Sequence, residues 1–142
     1  MQMIRIGLVI ALGSVPAAAG AGQQFFDLLP TGQIEFTMPS GNIGCVYTPE
    51  GGTPVFVPVD GGPELACDRV EPAYRRFTLG KAGPASVQDN VGDASCCGSP
   101  NVLEYGNFWQ AGPFYCESDE TGLTCMRGQN GFFISRKETT VY

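Results

Sequence analysis

Histidine is absent from the 142 residues. Without an imidazole there is no Ser-His-Asp or Cys-His relay, no histidine zinc ligand and no histidine general base, which removes most hydrolase and metalloenzyme chemistries in one step. Positive charge is scarce too: eight Lys and Arg stand against fourteen Asp and Glu, for a net charge of -6. The basic residues are scattered, so no phosphate-binding surface forms and nucleic acid is not an expected partner. Past the first 21 residues no run is long and apolar enough for a membrane span. Helical periodicity longer than two turns is found nowhere, which leaves strands and turns to build the fold.

What remains suits one small exported domain. Arg5 precedes the apolar run 6–15, Pro16 breaks it, and small residues follow at Ala17, Ala18, Ala19, Gly20 and Ala21. This is the order of an export signal, so 1–21 is expected to be removed by cleavage after Ala19 or Ala21, leaving 22–142 as a single domain. The run of about ten apolar residues is too short for a bilayer that needs roughly twenty. The first cysteine is Cys45, which disfavours a lipid anchor near the cleavage site. Periplasmic or secreted localisation follows, and with it an oxidising compartment.

There the six cysteines, Cys45, Cys67, Cys96, Cys97, Cys116 and Cys125, read as disulfides. No C-x-x-C pair exists, and the uneven spacing suits no zinc ribbon, so neither metal nor cofactor is expected. Alternation assigns the pairs. Segments 114–118 and 123–127 flank the turn-forming residues 119–122, which sets Ser118 opposite Leu123 and therefore Cys116 opposite Cys125. Opposed residues have Cα atoms about 4.5 to 5.5 Å apart, inside the disulfide range. A second turn is expected at Asn130-Gly131, before Phe132 and Ile134, and it puts Phe114, Cys116, Leu123, Cys125, Phe132 and Ile134 on one buried face.

The same logic holds at the other end. A turn at 39–42 pairs Met38 with Ile43, Phe36 with Cys45 and Ile34 with Tyr47, so Cys45 points inward and Cys67 is its expected partner. Pro58 makes 55–59 an edge strand or a loop. Between Glu71 and Asn101 only 77–79 reads as a strand. Adjacent strand residues point to opposite faces, so Cys96 and Cys97 cannot share one cross-strand partner. A vicinal disulfide is favoured over two bonds to different partners or an intermolecular bridge. The fold class is all-β: a disulfide-stabilised antiparallel domain, either a meander or a small barrel or sandwich.

Several of these segments carry a resemblance. Pro39-Ser40-Gly41-Asn42-Ile43-Gly44-Cys45, Leu103-Glu104-Tyr105-Gly106, Phe114-Tyr115-Cys116, Gly122-Leu123-Thr124-Cys125 and Gly131-Phe132-Phe133-Ile134-Ser135-Arg136 are similar to a family of small exported bacterial proteins known as a domain of unknown function. Its pattern reads P-S-G-N-I-G-C near the start and G-L-T-C, then G-H-G-F-x-x-S-R, near the end. The resemblance spans 36–142 and implies a shared fold and export, but no activity. Asn130 stands where the family has His, and the stretch 84–90 has Ser86 but not the Cys the family places there. The second departure leaves the third disulfide open.

Candidate functional residues are few. Tyr105 and Trp109 lie among Gly106, Asn107, Gly112 and Pro113, a loop-like composition that can hold aromatics at the surface as a binding patch. Arg136, in the basic run 135–137, suits insertion into an acidic cleft. Glu117, Asp119 and Glu120 cluster at a hairpin tip, where carboxylates could do acid/base work or hold Ca²⁺, although a solvated tip is the commoner outcome. The function expected is a binding or interaction module without catalysis, its partner an envelope or extracellular protein or glycan. An inhibitor of a secreted hydrolase, a lysozyme or a protease, is the alternative, and a carboxylate-based enzyme the third.

Overall fold

A computed structural model describes residues 22–142 together with Gly13. The expected export signal lies outside the described residues. Among the described residues eleven strands form two sheets: β1 (Gln23–Gln24), β2 (Ile34–Thr37), β3 (Ile43–Thr48), β4 (Glu64–Arg69), β5 (Arg75–Leu79), β6 (Ser86–Gln88), β7 (Phe108–Ala111), β8 (Phe114–Asp119), β9 (Gly122–Arg127), β10 (Asn130–Ile134) and β11 (Thr139–Val141). One sheet has the order β2-β3-β4-β5-β6 and the other β1-β7-β8-β9-β10-β11. Every neighbouring pair is antiparallel except β1 with β7. The protein is an all-β disulfide-bonded domain, and no helix among the described residues is long and apolar enough to cross a membrane.

Alternation decides which face of each sheet is buried. Ile34, Phe36, Ile43, Cys45, Leu65, Cys67, Phe77 and Leu79 point inward from the five-stranded sheet, and Trp109, Phe114, Cys116, Leu123, Cys125, Phe132 and Ile134 from the six-stranded one. Aromatic pairs join the two layers: Phe36 with Trp109 at 5.0 Å between ring centroids, Tyr47 with Phe114 at 6.0 Å, and Phe77 with Phe132 at 5.5 Å. Such pairs add about 0.5–1.5 kcal/mol each beyond the apolar area they bury.

Both hairpin registers agree with the alternation. Phe36 faces Cys45 and Ile34 faces Tyr47. Cys116 faces Cys125 and Ser118 faces Leu123, with one further pair, Asp119 and Gly122, tightening the tip to two residues. Disulfides join Cys45 to Cys67 and Cys116 to Cys125. The two meet between the sheets, where the Sγ atoms of Cys45, Cys67 and Cys125 lie within 4.8 Å of one another. These two disulfides pack together at the centre of the core.

The second turn of the C-terminal meander is displaced from its expected position. Asn130 and Gly131 begin β10, paired with Arg127 and Met126, and the turn is Gly128-Gln129. Gly128 supplies the positive φ of 58° that the reversal needs. Gly131 serves packing instead: a Cβ there would run into the Cys125 carbonyl and the Met126 sulfur. The displacement is two residues, so the inward set is unchanged. The stretch 55–59 is a loop, Phe77 and Leu79 lie in β5, and a long irregular segment runs from β6 to Asn101.

Candidate ligand cleft

The expected aromatic patch does not form as one surface. Trp109 is 1 % exposed and packs against Phe36 and Tyr47, so it is a core residue and not a binding residue. The reason is local. Gly112-Pro113 is a two-residue turn between β7 and β8, with Ala111 paired to Phe114, and this makes 108–111 a strand whose alternation turns Trp109 inward and Gln110 outward. Tyr105 is 40 % exposed. It shares a notch of about 140 Å³ with Arg136, Asn42 and the hairpin-tip residues Asp119 and Glu120. Two of the three expected binding residues are thus neighbours, at a site too small for more than a fragment of a ligand.

A larger cleft lies on the outer face of the five-stranded sheet, with a volume of about 360 Å³. Its floor is made by the side chains that alternate away from the core. Val46 lies beside Ala66, and Gly44 beside Asp68, which lies beside Arg76. Small residues there leave depth. Phe56, from the loop between β3 and β4, lines the cleft together with Thr48 and Glu64. The segment 93–99 crosses the sheet and forms a further wall, carrying Cys96 and Cys97, which are bonded to each other.

Hydrogen bonds pin that segment on both sides. Toward β2, the Ser99 hydroxyl and the Asn101 side-chain Nδ2 donate to the Glu35 carbonyl at 3.2 and 3.0 Å, and the Thr37 backbone amide donates to the Asn101 backbone carbonyl at 2.8 Å. Toward β5, the Cys96 amide donates to the Tyr74 hydroxyl at 3.1 Å, and Arg76 Nη2 donates to the Asp93 carbonyl at 3.2 Å. Asp68 holds the partners in place, accepting from Tyr74 at 2.5 Å and from Arg76 Nε and Nη2 at 2.7 and 2.8 Å. A bidentate charge-assisted pair of this kind fixes orientation as well as energy. Burial, then the hydrogen bond to Asp68, pushes the Tyr74 hydroxyl above its ordinary pKa, and Arg76 is raised by its own hydrogen bonds to the same carboxylate. Tyr74 and Arg76 therefore stay protonated donors at neutral pH.

Gly44 lets the vicinal disulfide seat itself. A Cβ on Gly44 would lie 2.8 Å from Cys96 Sγ and 2.9 Å from Cys97 Sγ. Only a residue without a side chain admits the sulfurs to the strand surface.

Charge in the cleft is lopsided. Glu35, Glu64, Asp68 and Asp93 line it against one cation, Arg76. Of the three ion pairs among the described residues, Arg76 with Asp68 is the one inside the cleft, so Glu35, Glu64 and Asp93 are left without one. Desolvation, followed by the nearby Asp60 charge, pushes the half-buried Glu64 carboxyl above its usual range.

No local pattern in the sequence marks this cleft as a whole. Gly44, between inward Ile43 and Cys45, carried the signal of a close approach to an outward strand face. Asp68 and Arg76 meet only once the β4–β5 register is known, and Phe56 and the 93–99 segment arrive through loops that no local pattern fixes. No family model, curated protein or solved structure matches the chain.

Proposed function

We propose that the protein is a binding module without catalysis, of the periplasm or the extracellular space, and that the cleft over the five-stranded sheet is its ligand site. The three disulfides suit an oxidising, extracellular-type environment. One observation carries the assignment of the site: a cleft of about 360 Å³ has a floor of small side chains and three carboxylates without an ion pair. The matching ligand is small and rich in hydrogen-bond donors, an amine or an amino sugar, with an apolar part for Phe56. The motif resemblance is compatible with export and assigns no activity.

Titrating the ¹⁵N-labelled protein with alkyl diamines, amino sugars and neutral sugars tests this. Amide shifts are expected for 44–48, 64–68 and 93–99 with the amine-bearing probes, and Glu64→Gln should weaken that binding about tenfold, the loss of one charge-assisted contact. Silence of the cleft toward every probe would overturn the assignment.

Inhibition of a secreted hydrolase is a second reading, favoured by the loop between β3 and β4. Val55 is 61 % exposed, Val57 60 % and Val59 fully exposed, while Thr53 braces the loop by donating its amide to the Phe56 carbonyl at 2.7 Å. A braced apolar loop is suited to entering an enzyme cleft. Assays against a lysozyme and a serine protease, with Val57→Ser and Val59→Ser as controls, decide it: inhibition lost in both variants supports the reading, and no inhibition by the native protein removes it.

A further inference from the structure

We propose that Cys96–Cys97 is a thiol–disulfide exchange site, the one a dithiol reductant reaches in the folded protein, and that its reduction releases the 93–99 segment from the cleft. The control it exerts on binding rests on the cleft being the ligand site; the exchange itself does not.

Access is the first argument. Exchange needs a thiolate to approach a disulfide sulfur. Cys45, Cys67, Cys116 and Cys125 are at most 2 % exposed and stand between the sheets. Cys96 and Cys97 are half-buried and line an open cleft. The folded protein thus presents one of its three disulfides to a reagent in solution.

The second argument is space. While bonded, both sulfurs occupy the surface of Gly44, at 2.8 and 2.9 Å from where a Cβ would stand. Breaking the bond moves two sulfurs from a covalent separation of about 2 Å to non-bonded contact near 3.5–4 Å. Gly44 is buried beneath them and cannot recede, so the segment must lift. Lifting breaks the bond from the Cys96 amide to Tyr74 and the bond from Arg76 to the Asp93 carbonyl, which are its ties toward β5.

The chemistry balances. One thiolate of the dithiol attacks Sγ of Cys96 or Cys97, forming a mixed disulfide while the other cysteine leaves as a thiolate and takes up a proton. The second thiol of the reductant then attacks its own sulfur in the mixed disulfide, and the released cysteine is protonated. The reductant leaves as a cyclic disulfide, having given two electrons and two protons. Glu35, Glu64 and Asp93 surround the approach and oppose an incoming anion, because the one local cation, Arg76, is committed to Asp68. Reagents carrying positive charge are therefore favoured.

The test uses the oxidised folded protein with dithiothreitol and no denaturant, followed by alkylation, peptide mapping and amide hydrogen exchange. The expected result is alkylation of Cys96 and Cys97 while the two core disulfides stay intact, with protection in 93–99 and 43–48 falling about tenfold or more, a local opening rather than global unfolding. A second arm compares monothiols: cysteamine should react about tenfold faster than mercaptoethanesulfonate at low salt, the gap closing as salt is added. The double variant Cys96→Ser, Cys97→Ser should show the lowered protection with no reductant present. Simultaneous reduction of all three disulfides, reduction of a core pair first, or selective reduction with unchanged protection would each overturn the proposal. None of these readouts needs a cleft ligand, so their failure leaves the binding assignment standing, and failure to find a ligand leaves the exchange site standing.

Discussion

Two carboxylates a few residues apart respond to acid in opposite ways. Asp60 accepts from the backbone amides of Lys81 at 2.8 Å and Gly62 at 2.9 Å, and these donors hold it below the ordinary carboxylate range. A carboxyl whose folded pKa is depressed stabilises the fold above the unfolded pKa, and the contribution fades as pH falls through the folded value. Glu64 is raised, so its sign is reversed: it costs nothing below the unfolded pKa, and the cost grows as pH rises through the folded value. Asp60→Asn should therefore lower the melting temperature at about pH 7, the gap to the native protein narrowing only as pH falls below the ordinary carboxylate range, whereas Glu64→Gln should raise it at about pH 7 and lose that advantage in acid. Thermal melts of the three proteins from neutral pH into acid check both signs. Trp109 allows a third test, because the sole tryptophan reports on its own burial. Its emission should be blue-shifted and shielded from iodide, and Trp109→Ala should cost about 3–5 kcal/mol in denaturant unfolding. That residue shows where sequence reading stops at this scale: Gly and Pro beside an aromatic mark a turn, but not whether the turn leaves the aromatic inside a strand or within the loop.

The hairpins were the legible elements. Alternation together with short turns fixed Phe36 against Cys45 and Cys116 against Cys125, because a register slip of one residue would have turned each inward set outward. Even the displaced turn at Gly128-Gln129 did no harm, since a shift of two preserves parity. The segment after β6 was opaque for the opposite reason. Its course is set by partners far along the chain, such as Glu35 accepting from Ser99 and Asn101, and local pattern carries no trace of them. Two expectations belong to the elements. Cys125→Ser opens a ring whose closure spans nine residues of sequence separation and should cost roughly 2–3 kcal/mol, read from oxidised samples in a chemical melt. Gly44→Ala sets a methyl group against both sulfurs of the 93–99 segment, so hydrogen exchange there should quicken strongly while the core strands β8 and β9 keep their protection. Equal loss of protection in β8 and β9 would mean that the segment is part of the global fold and not a separable wall.

At the scale of the molecule, function was less legible than fold. Composition excluded histidine chemistry and cysteine count pointed to oxidation, but the cleft is assembled from β2, β3, β4, β5 and two loops, and no single stretch of sequence contains it. The pairing of the core disulfides has a consequence of another kind. Cys45–Cys67 joins β3 to β4 and Cys116–Cys125 joins β8 to β9, so each bond lies within one sheet and neither crosses between them. The five-stranded sheet is drawn wholly from 34–88, and the six-stranded sheet from 108–141 apart from β1. Emerging from a narrow passage amino end first, the chain could weld its first sheet while the second was still threaded, and β1 would wait for β7 to arrive before taking its place. A molecule stretched between residues 22 and 142 should likewise part along the seam of Phe36, Trp109, Tyr47, Phe114, Phe77 and Phe132 with every sulfur bond unbroken, and the welds would then withhold only short loops from the extending chain.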